Sequence, residues 1–469
     1  MTVRRRVVIV GGGVAGIAAA LRAAESGWIP TLVESRTMLG GRATSFTDVR
    51  SGLELDNAQH VVMGCCTNIL ELYERLGVLD DIEWHRTLHF ARGGGAADAL
   101  TIGALPAPLH YAVSFARMKL FTRSEKWQIC CAFAAILRGG PKDRLRWSGQ
   151  PFSAFLTQQR QSPNVIELFW EPVVLSACNM RTHECEATHA LKVFDEGMLA
   201  HRFAGMLGTA RIPLVRLYER TSELLSAVGG ELKLRTSAKA FAFDGARVTA
   251  LITTDDRIEA QAFVSAVGPG RLAKLCSQTL REHDQRLQHL ERFSFSPILG
   301  VHVALKRRLM QTANLALPNR ATHWLFAYDA AEGAGFAQRI EAVVSAATDW
   351  IGLSEDEITQ RVCTDLAWAF PDFKRDDVLW SRPVLERHAT FASTVGIDAL
   401  RPRASVQAGD ARGGVSNLFL AGEWTDTGWP STMEGAARSG FAAAAACCGG
   451  KSIAADLPPS ALVRFARAL

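Results

Sequence analysis

Residues 7–34 constrain the fold more than any other stretch of this chain. Val7-Val8-Ile9-Val10 is a short β-branched run, the pattern of a strand buried on both faces. Gly11-Gly12-Gly13-Val14-Ala15-Gly16 follows and fits G-x-G-x-x-G. Ile17 to Ala24, rich in small and aliphatic residues, predicts a helix that Gly27 closes, and Thr31-Leu32-Val33-Glu34 predicts a second strand. The glycine motif signals a dinucleotide site in this βαβ context. Gly11 permits the tight turn, Gly13 lets a pyrophosphate approach the helix N-terminus, and Gly16 allows helix and strand to pack closely. Glu34, about 20 residues on, can accept hydrogen bonds from an adenosine ribose, and its charge disfavours the 2′-phosphate of NADP. The run from Val7 to Leu21 is broken by the glycines, so it reads as part of this unit and not as a signal peptide.

The motif alone does not separate FAD from NAD. Leu39-Gly40-Gly41-Arg42 adds two glycines that let backbone approach a ligand and an arginine that can reach a phosphate. Near the other end, Asn417 to Ala421 reads as a strand running into Gly422-Glu423-Trp424. Thr432-Met433-Glu434-Gly435-Ala436 then opens a small-residue helix over Ala437 to Ala446. Its free N–H groups and positive dipole end suit the negative charge of a reduced flavin ring.

This pair of ends resembles the FAD-dependent amine oxidase and phytoene desaturase superfamily, over the whole chain and in order. The resemblance implies an α/β fold: a discontinuous Rossmann-type FAD-binding domain with an inserted α+β substrate domain. It implies FAD as cofactor, with Glu423 on the pyrophosphate or ribityl side and Met433 to Ala436 under the flavin ring. It also implies that the backbone near Ala238 contacts the adenine and that Ser265 to Pro269 ends the last strand beside the cofactor. The expected FAD-binding segments are 1–90, 229–290 and 405–450, the substrate segments 91–228 and 291–404, and a C-terminal tail 451–469. Ala238 to Phe243, Arg247 to Thr254 and Ala262 to Val267 read as a β-rich meander, and the first insert as mainly helical. Ile298 to Leu305 predicts a strand, and Glu355 to Ala369 a helix opened by a Ser354/Glu357 capping box.

A second layer of resemblance lies on the substrate side. Asp56-Asn57-Ala58-Gln59-His60, Phe169-Trp170-Glu171-Pro172-Val173, Ala177-Cys178-Asn179 and Ile212-Pro213-Leu214 are similar to the squalene-associated desaturase branch, read as hydroxysqualene dehydroxylases. Ala58 stands where that branch often has Gly. The lysine that amine oxidases carry on the equivalent of the 298–305 strand falls at about Gly300, and their paired tyrosines are missing. The branch implies reductive removal of an allylic hydroxyl, with hydride from reduced flavin to an allylic cation. Such a step needs a proton donor, for which His60, Asp56 and Glu171 are the candidates in that order. Phe169, Trp170 and Trp429 are candidates for a pocket lining that stabilises the cation through π faces. Two other readings stay open: a carotenoid or polyene desaturase of the same superfamily, and a non-catalytic FAD-bound scaffold of a terpenoid-synthesis complex.

Composition bounds the partners. A hydrophobic fraction of 48% and a charged fraction of 21% are those of a globular chain, and 469 residues suggest two or three domains. A net charge of +5, from 52 Lys+Arg against 47 Asp+Glu, argues against nucleic acid and leaves an anionic membrane surface open. The 105–121 stretch and the run 127–137 are candidates for an interfacial surface. Ten cysteines with no export signal and no Cys-x-x-Cys suggest reduced thiols, a cytoplasmic protein peripheral to the inner membrane face at most, and no metal. The expected partners are a hydrophobic isoprenoid substrate, other squalene-synthesis enzymes and an electron donor that the residues do not identify.

Overall fold

The computed structural model describes residues 5–330, 335–406 and 414–468. The expected segments that reach 1–4, 331–334, 407–413 and 469 lie there outside the described residues.

A five-stranded parallel sheet holds the glycine motif. Its order is Glu231–Lys233, Ile29–Val33, Arg6–Val10, Ala262–Ser265, Leu418–Leu420, so pieces distant in sequence meet side by side. The helix Val14–Glu25 packs on this sheet, buried along nearly its whole length. Gly16 is required there, because a Cβ would lie 1.8 Å from the Gly11 carbonyl oxygen. Against this helix lies Met433–Cys448. A Cβ on Gly440 would come within 2.1 Å of Ala15 O and 2.9 Å of the Ala18 Cβ, which explains why both helices are built from glycine and alanine. The first and last parts of the chain are thereby locked together behind one site.

The expected meander is only partly formed. Ala238–Phe243, Val248–Thr253 and Arg257–Glu259 make a small antiparallel sheet, whereas Ala262–Ser265 leaves it to pair with Arg6–Val10.

A second sheet of seven strands forms the other half. Its order is Val378–Phe391, Phe295–Leu305, Gln338–Ser345, Trp324–Asp329, Asn314–Ala316, Thr87–Gly93, Ala96–Thr101, mixed and mostly antiparallel. The helix Glu355–Ala369 is present with its capping box: Ser354 Oγ accepts from Glu357 N, and the Glu357 carboxylate accepts from Ser354 N at 2.8 Å. A division at residue 90 would cut the strand Thr87–Gly93, because the mainly helical insert begins by pairing into this sheet. Helices between 112 and 199 then bury an aromatic cluster around Phe152, Phe169, Trp170 and Phe194.

The expected C-terminal tail is instead docked. The Asn68 side-chain amide holds Ala454, its Nδ2–H donating to Ala454 O and its Oδ1 accepting from Ala454 N, Arg438 pairs with Asp456, and the helix Ala461–Ala468 buries Val463 completely. Arg467 pairs with Asp195. One buried valine and two ion pairs give this segment a place on the body of the protein. No helix among the described residues is long and apolar enough to cross a membrane.

Candidate functional site

One large cavity of about 480 Å³ runs between the two sheets, and both ends of the chain line it. Gly11, Gly13, Glu34, Gly40, Gly41, Arg42, Gly422, Glu423, Met433, Glu434 and Ala436 all reach it. Gly16, Gly435 and Ala238 do not. Gly16 faces the Gly11 turn, and Gly435 sits behind the lining with its N–H donated to Thr432 Oγ1 at 3.1 Å. Ala238 begins the small antiparallel sheet, and its carbonyl accepts from Arg271 at 2.6 Å.

The nucleotide end suits a dinucleotide on several counts. The helix Val14–Glu25 has no side-chain cap and no acid in its first turn, leaving its N-terminal amides for a phosphate. Glu34 is nearly buried at the end of its strand. It accepts from Gly12 N at 2.7 Å, Arg36 N at 2.7 Å and Ser35 Oγ at 3.1 Å. A carboxylate has about four acceptor positions, so one remains for a ribose hydroxyl. Gly13 has ordinary extended backbone, and a Cβ there would meet nothing nearer than 3.9 Å. Its bareness leaves room for a ligand and is not demanded by the protein's own packing.

Two expected contacts are rearranged. Arg42 does not stand free for a phosphate: it pairs with Glu423 at 2.6 Å and donates to Ala389 O at 3.0 Å. Burial works against the Arg42 charge, but Glu423 more than offsets it and holds the guanidinium above its usual value. Glu434 lines the cavity, yet its carboxylate caps the helix Thr67–Leu76, accepting from Asn68 N at 2.9 Å and Ile69 N at 3.0 Å, and pairs with Arg438 at 3.0 Å. The Arg42–Glu423 pair and the bonds to Asn68 and Ile69 cross between chain ends that only the tertiary fold brings together.

At the other end, His60 lines the cavity, and its Nδ1–H donates to Ala58 O at 2.7 Å. Nε2 makes no hydrogen bond among the described residues. Burial holds the His60 imidazole below its ordinary pKa. Asp56 is turned away: it accepts from Ser45 Oγ at 2.6 Å and Leu214 N at 3.0 Å, and burial raises its pKa. It braces the run that carries His60. From behind, His302 Nε2–H donates to Asp56 O at 2.8 Å. A Cβ on Gly300 would lie 3.2 Å from Ala58 Cα, so a side chain at the position of the absent lysine would press on the His60 run. The strand Phe295–Leu305 thus presses its backbone against the His60 run.

Glu171 also lies off the cavity, pairing with Arg181 at 3.5 Å and accepting from Thr182 N at 2.9 Å. Phe169 and Trp170 are core, fully buried among other aromatics, with Trp170 Nε1–H donated to Gln161 at 2.9 Å. An aromatic pair beside a motif has the same sequence appearance in a core as in a pocket wall, and these two fill the helical core.

Trp429 does line the cavity. Its ring already has two cations over it, Lys192 Nζ at 4.7 Å and Arg438 at 5.4 Å from the ring centre, so it is not a bare π face. Its Nε1–H is buried without a partner. Lys192 escaped the sequence reading. Its ammonium lines the cavity and is held by Glu196 at 2.6 Å. The only available signal was a lysine four residues before a glutamate, which also describes a solvated helix face.

Comparison with known proteins agrees with this architecture. The family description "flavin containing amine oxidoreductase" matches residues 14–448. A hydroxysqualene dehydroxylase of Zymomonas mobilis is 24% identical, covering 93% of this chain and 97% of its own. A 15-cis-phytoene desaturase of Solanum lycopersicum is also 24% identical, over 92% of this chain and 76% of its own. An oxidoreductase from Methanosarcina mazei superposes with a TM-score of 0.72 at 17% identity, covering 93% of this chain and 98% of its own.

Proposed function

The chain belongs to the flavin-containing amine oxidoreductase family and is an FAD-dependent oxidoreductase, and within that class we propose that it reductively dehydroxylates hydroxysqualene to squalene. The observation that carries this reading is the Asp56–His60 run, which presents a titratable imidazole to a mostly apolar cavity and has a bare Gly300 behind it. The near full-length likeness to a hydroxysqualene dehydroxylase supports the same reading.

FAD would be held by the glycine turn, Glu34 and the N-terminus of the helix Met433–Cys448. Bound in its reduced form, it supplies the two-electron reduction of the carbon centre. The chain's own residues do the rest. Hydroxide is a poor leaving group, so the allylic hydroxyl must take up a proton and depart as water. We assign that proton to His60 Nε2, with Ala58 O orienting the ring through Nδ1–H. Burial holds the His60 imidazole below its ordinary pKa, which favours release of the proton to the departing hydroxyl. The Lys192 ammonium, steadied by Glu196, is a second donor that can hydrogen-bond the oxygen. The apolar lining excludes water from the cation that forms.

Incubating the reduced holoenzyme anaerobically with hydroxysqualene and identifying the product tests this function. Squalene supports it; recovery of unchanged alcohol refutes it. A polyene desaturase is the second reading, favoured by the phytoene desaturase likeness at equal identity, and it predicts turnover by the oxidised enzyme instead. An FAD-bound scaffold would hold flavin and turn over neither.

A further inference from the structure

Three segments far apart in sequence meet on one side of the protein: residues 101–123, 199–206 and 457–468. Ser460 Oγ–H donates to Ala107 O at 2.6 Å and Ser460 N–H to Ala200 O at 2.9 Å. Gly205 lies under the Tyr111 hydroxyl, where a Cβ would come within 2.0 Å. Not one of the three contains an Asp or Glu. Between them they expose Leu105 (43%), Leu109 (49%), Val113 (54%), Phe203 (36%), Leu462 (43%) and Phe465 (65%). Arg117, Lys119, Arg202 and Arg464 are exposed beside these side chains and form no ion pair among the described residues.

The chain as a whole is nearly balanced in charge, so three acid-free, cation-bearing and apolar segments side by side are a local departure; the carboxylates that touch them are engaged, Asp98 by the Lys119 and Leu120 amides and Asp195 by Arg467. Exposed apolar side chains ringed by cations match the chemistry of a bilayer interface, where the apolar groups enter the acyl boundary and the cations meet anionic headgroups. The region also backs directly onto the cavity. Cys65 and Trp429, both in its wall, pack with Ala204 and Leu457 in one small apolar cluster. We propose that these three segments form a single docking surface for an anionic lipid bilayer, on the side of the cavity closed by Ala204 and Leu457. The docked C-terminal helix is part of it. A surface of this kind stands independently of which isoprenoid the cavity accepts.

The test is cosedimentation of the holoprotein with vesicles of phosphatidylcholine alone and of phosphatidylcholine with 30% phosphatidylglycerol. Vesicle binding should require the anionic lipid and fall with added salt. Each interfacial cation lost should weaken partition about fivefold. The triple variant Arg117→Gln, Lys119→Gln, Arg202→Gln should therefore lose about 100-fold, and Leu109→Ser with Val113→Ser should lose partition at unchanged charge. All five positions are exposed, and retained flavin absorbance verifies the fold of each variant. Equal binding to neutral and anionic vesicles, no binding by the wild type, or variants that bind as the wild type does would overturn the proposal. So would a wild-type dimer in light scattering that the serine variant abolishes, because a second copy would then cover the surface.

Discussion

Glu34→Ala separates a ligand contact from a loop brace. The carboxylate makes three hydrogen bonds within the protein, at 2.7, 2.7 and 3.1 Å, and has about one acceptor position left over. If that position takes a ribose hydroxyl, the lost bond is charge-assisted and worth about 1–3 kcal/mol. That is a Kd for FAD roughly 5- to 150-fold weaker. Removing the carboxylate also strands the Gly12 and Arg36 amides, so the apoprotein should melt at a lower temperature. Titrating FAD into apoprotein, followed by quenching of flavin or tryptophan fluorescence, gives the first quantity; thermal melts of the apoprotein give the second. Glu34→Gln keeps one acceptor oxygen and loses the charge, so its Kd should fall between wild type and alanine. An apoprotein melting temperature that drops while FAD affinity stays within twofold of wild type would refute the ribose contact and leave Glu34 as a brace for the glycine turn.

Gly13→Val should fold normally, since a Cβ there meets nothing within 3.9 Å, yet purify without flavin absorbance, because the side chain takes the place of the pyrophosphate. His60→Ala should keep FAD and slow hydroxysqualene conversion by at least about 100-fold, and the acetate ester, a better leaving group, should recover part of that rate; equal slowing of alcohol and ester would remove His60 as the proton donor. With His60 as acid, the wild-type rate should fall as pH rises through a midpoint below 6.5, since burial lowers its pKa and the protonated form is the active one; a rate that rises with pH over that range contradicts it. Lys192→Met should raise KM for the alcohol by about tenfold, the loss of one hydrogen bond to a charged donor, while binding of squalene, read from the flavin spectrum, stays unchanged.

How much of this was legible beforehand follows from how local each signal is. The strand, glycine turn and helix of 7–25 are readable because every requirement of the turn sits within ten residues. The helix Glu355–Ala369 is readable for the same reason, its capping box spanning four residues. Arg42 and Glu423 were each placed at the cofactor, but their pairing spans most of the chain and has no local signature. Glu434 sits in the motif expected under the flavin, and only the fold reveals that its carboxylate caps the Thr67–Leu76 helix. Phe169 and Trp170 show the limit most clearly: burial among Phe133, Phe152 and Phe194 depends on helices that fold against them from both sides. The segment after Lys451 reads as a tail because the partners that dock it lie far away in sequence: Val463 is completely buried, and Asp456 and Arg467 anchor the segment through Arg438 and Asp195.

The most direct measurement is a single turnover. Photoreduced holoenzyme is mixed anaerobically with one equivalent of hydroxysqualene, with flavin absorbance followed in time and the lipid extract quantified. The account predicts that the oxidised flavin spectrum returns and that squalene forms in a one-to-one ratio with it. Flavin that stays reduced with the alcohol intact, or that reoxidises without squalene, would contradict it.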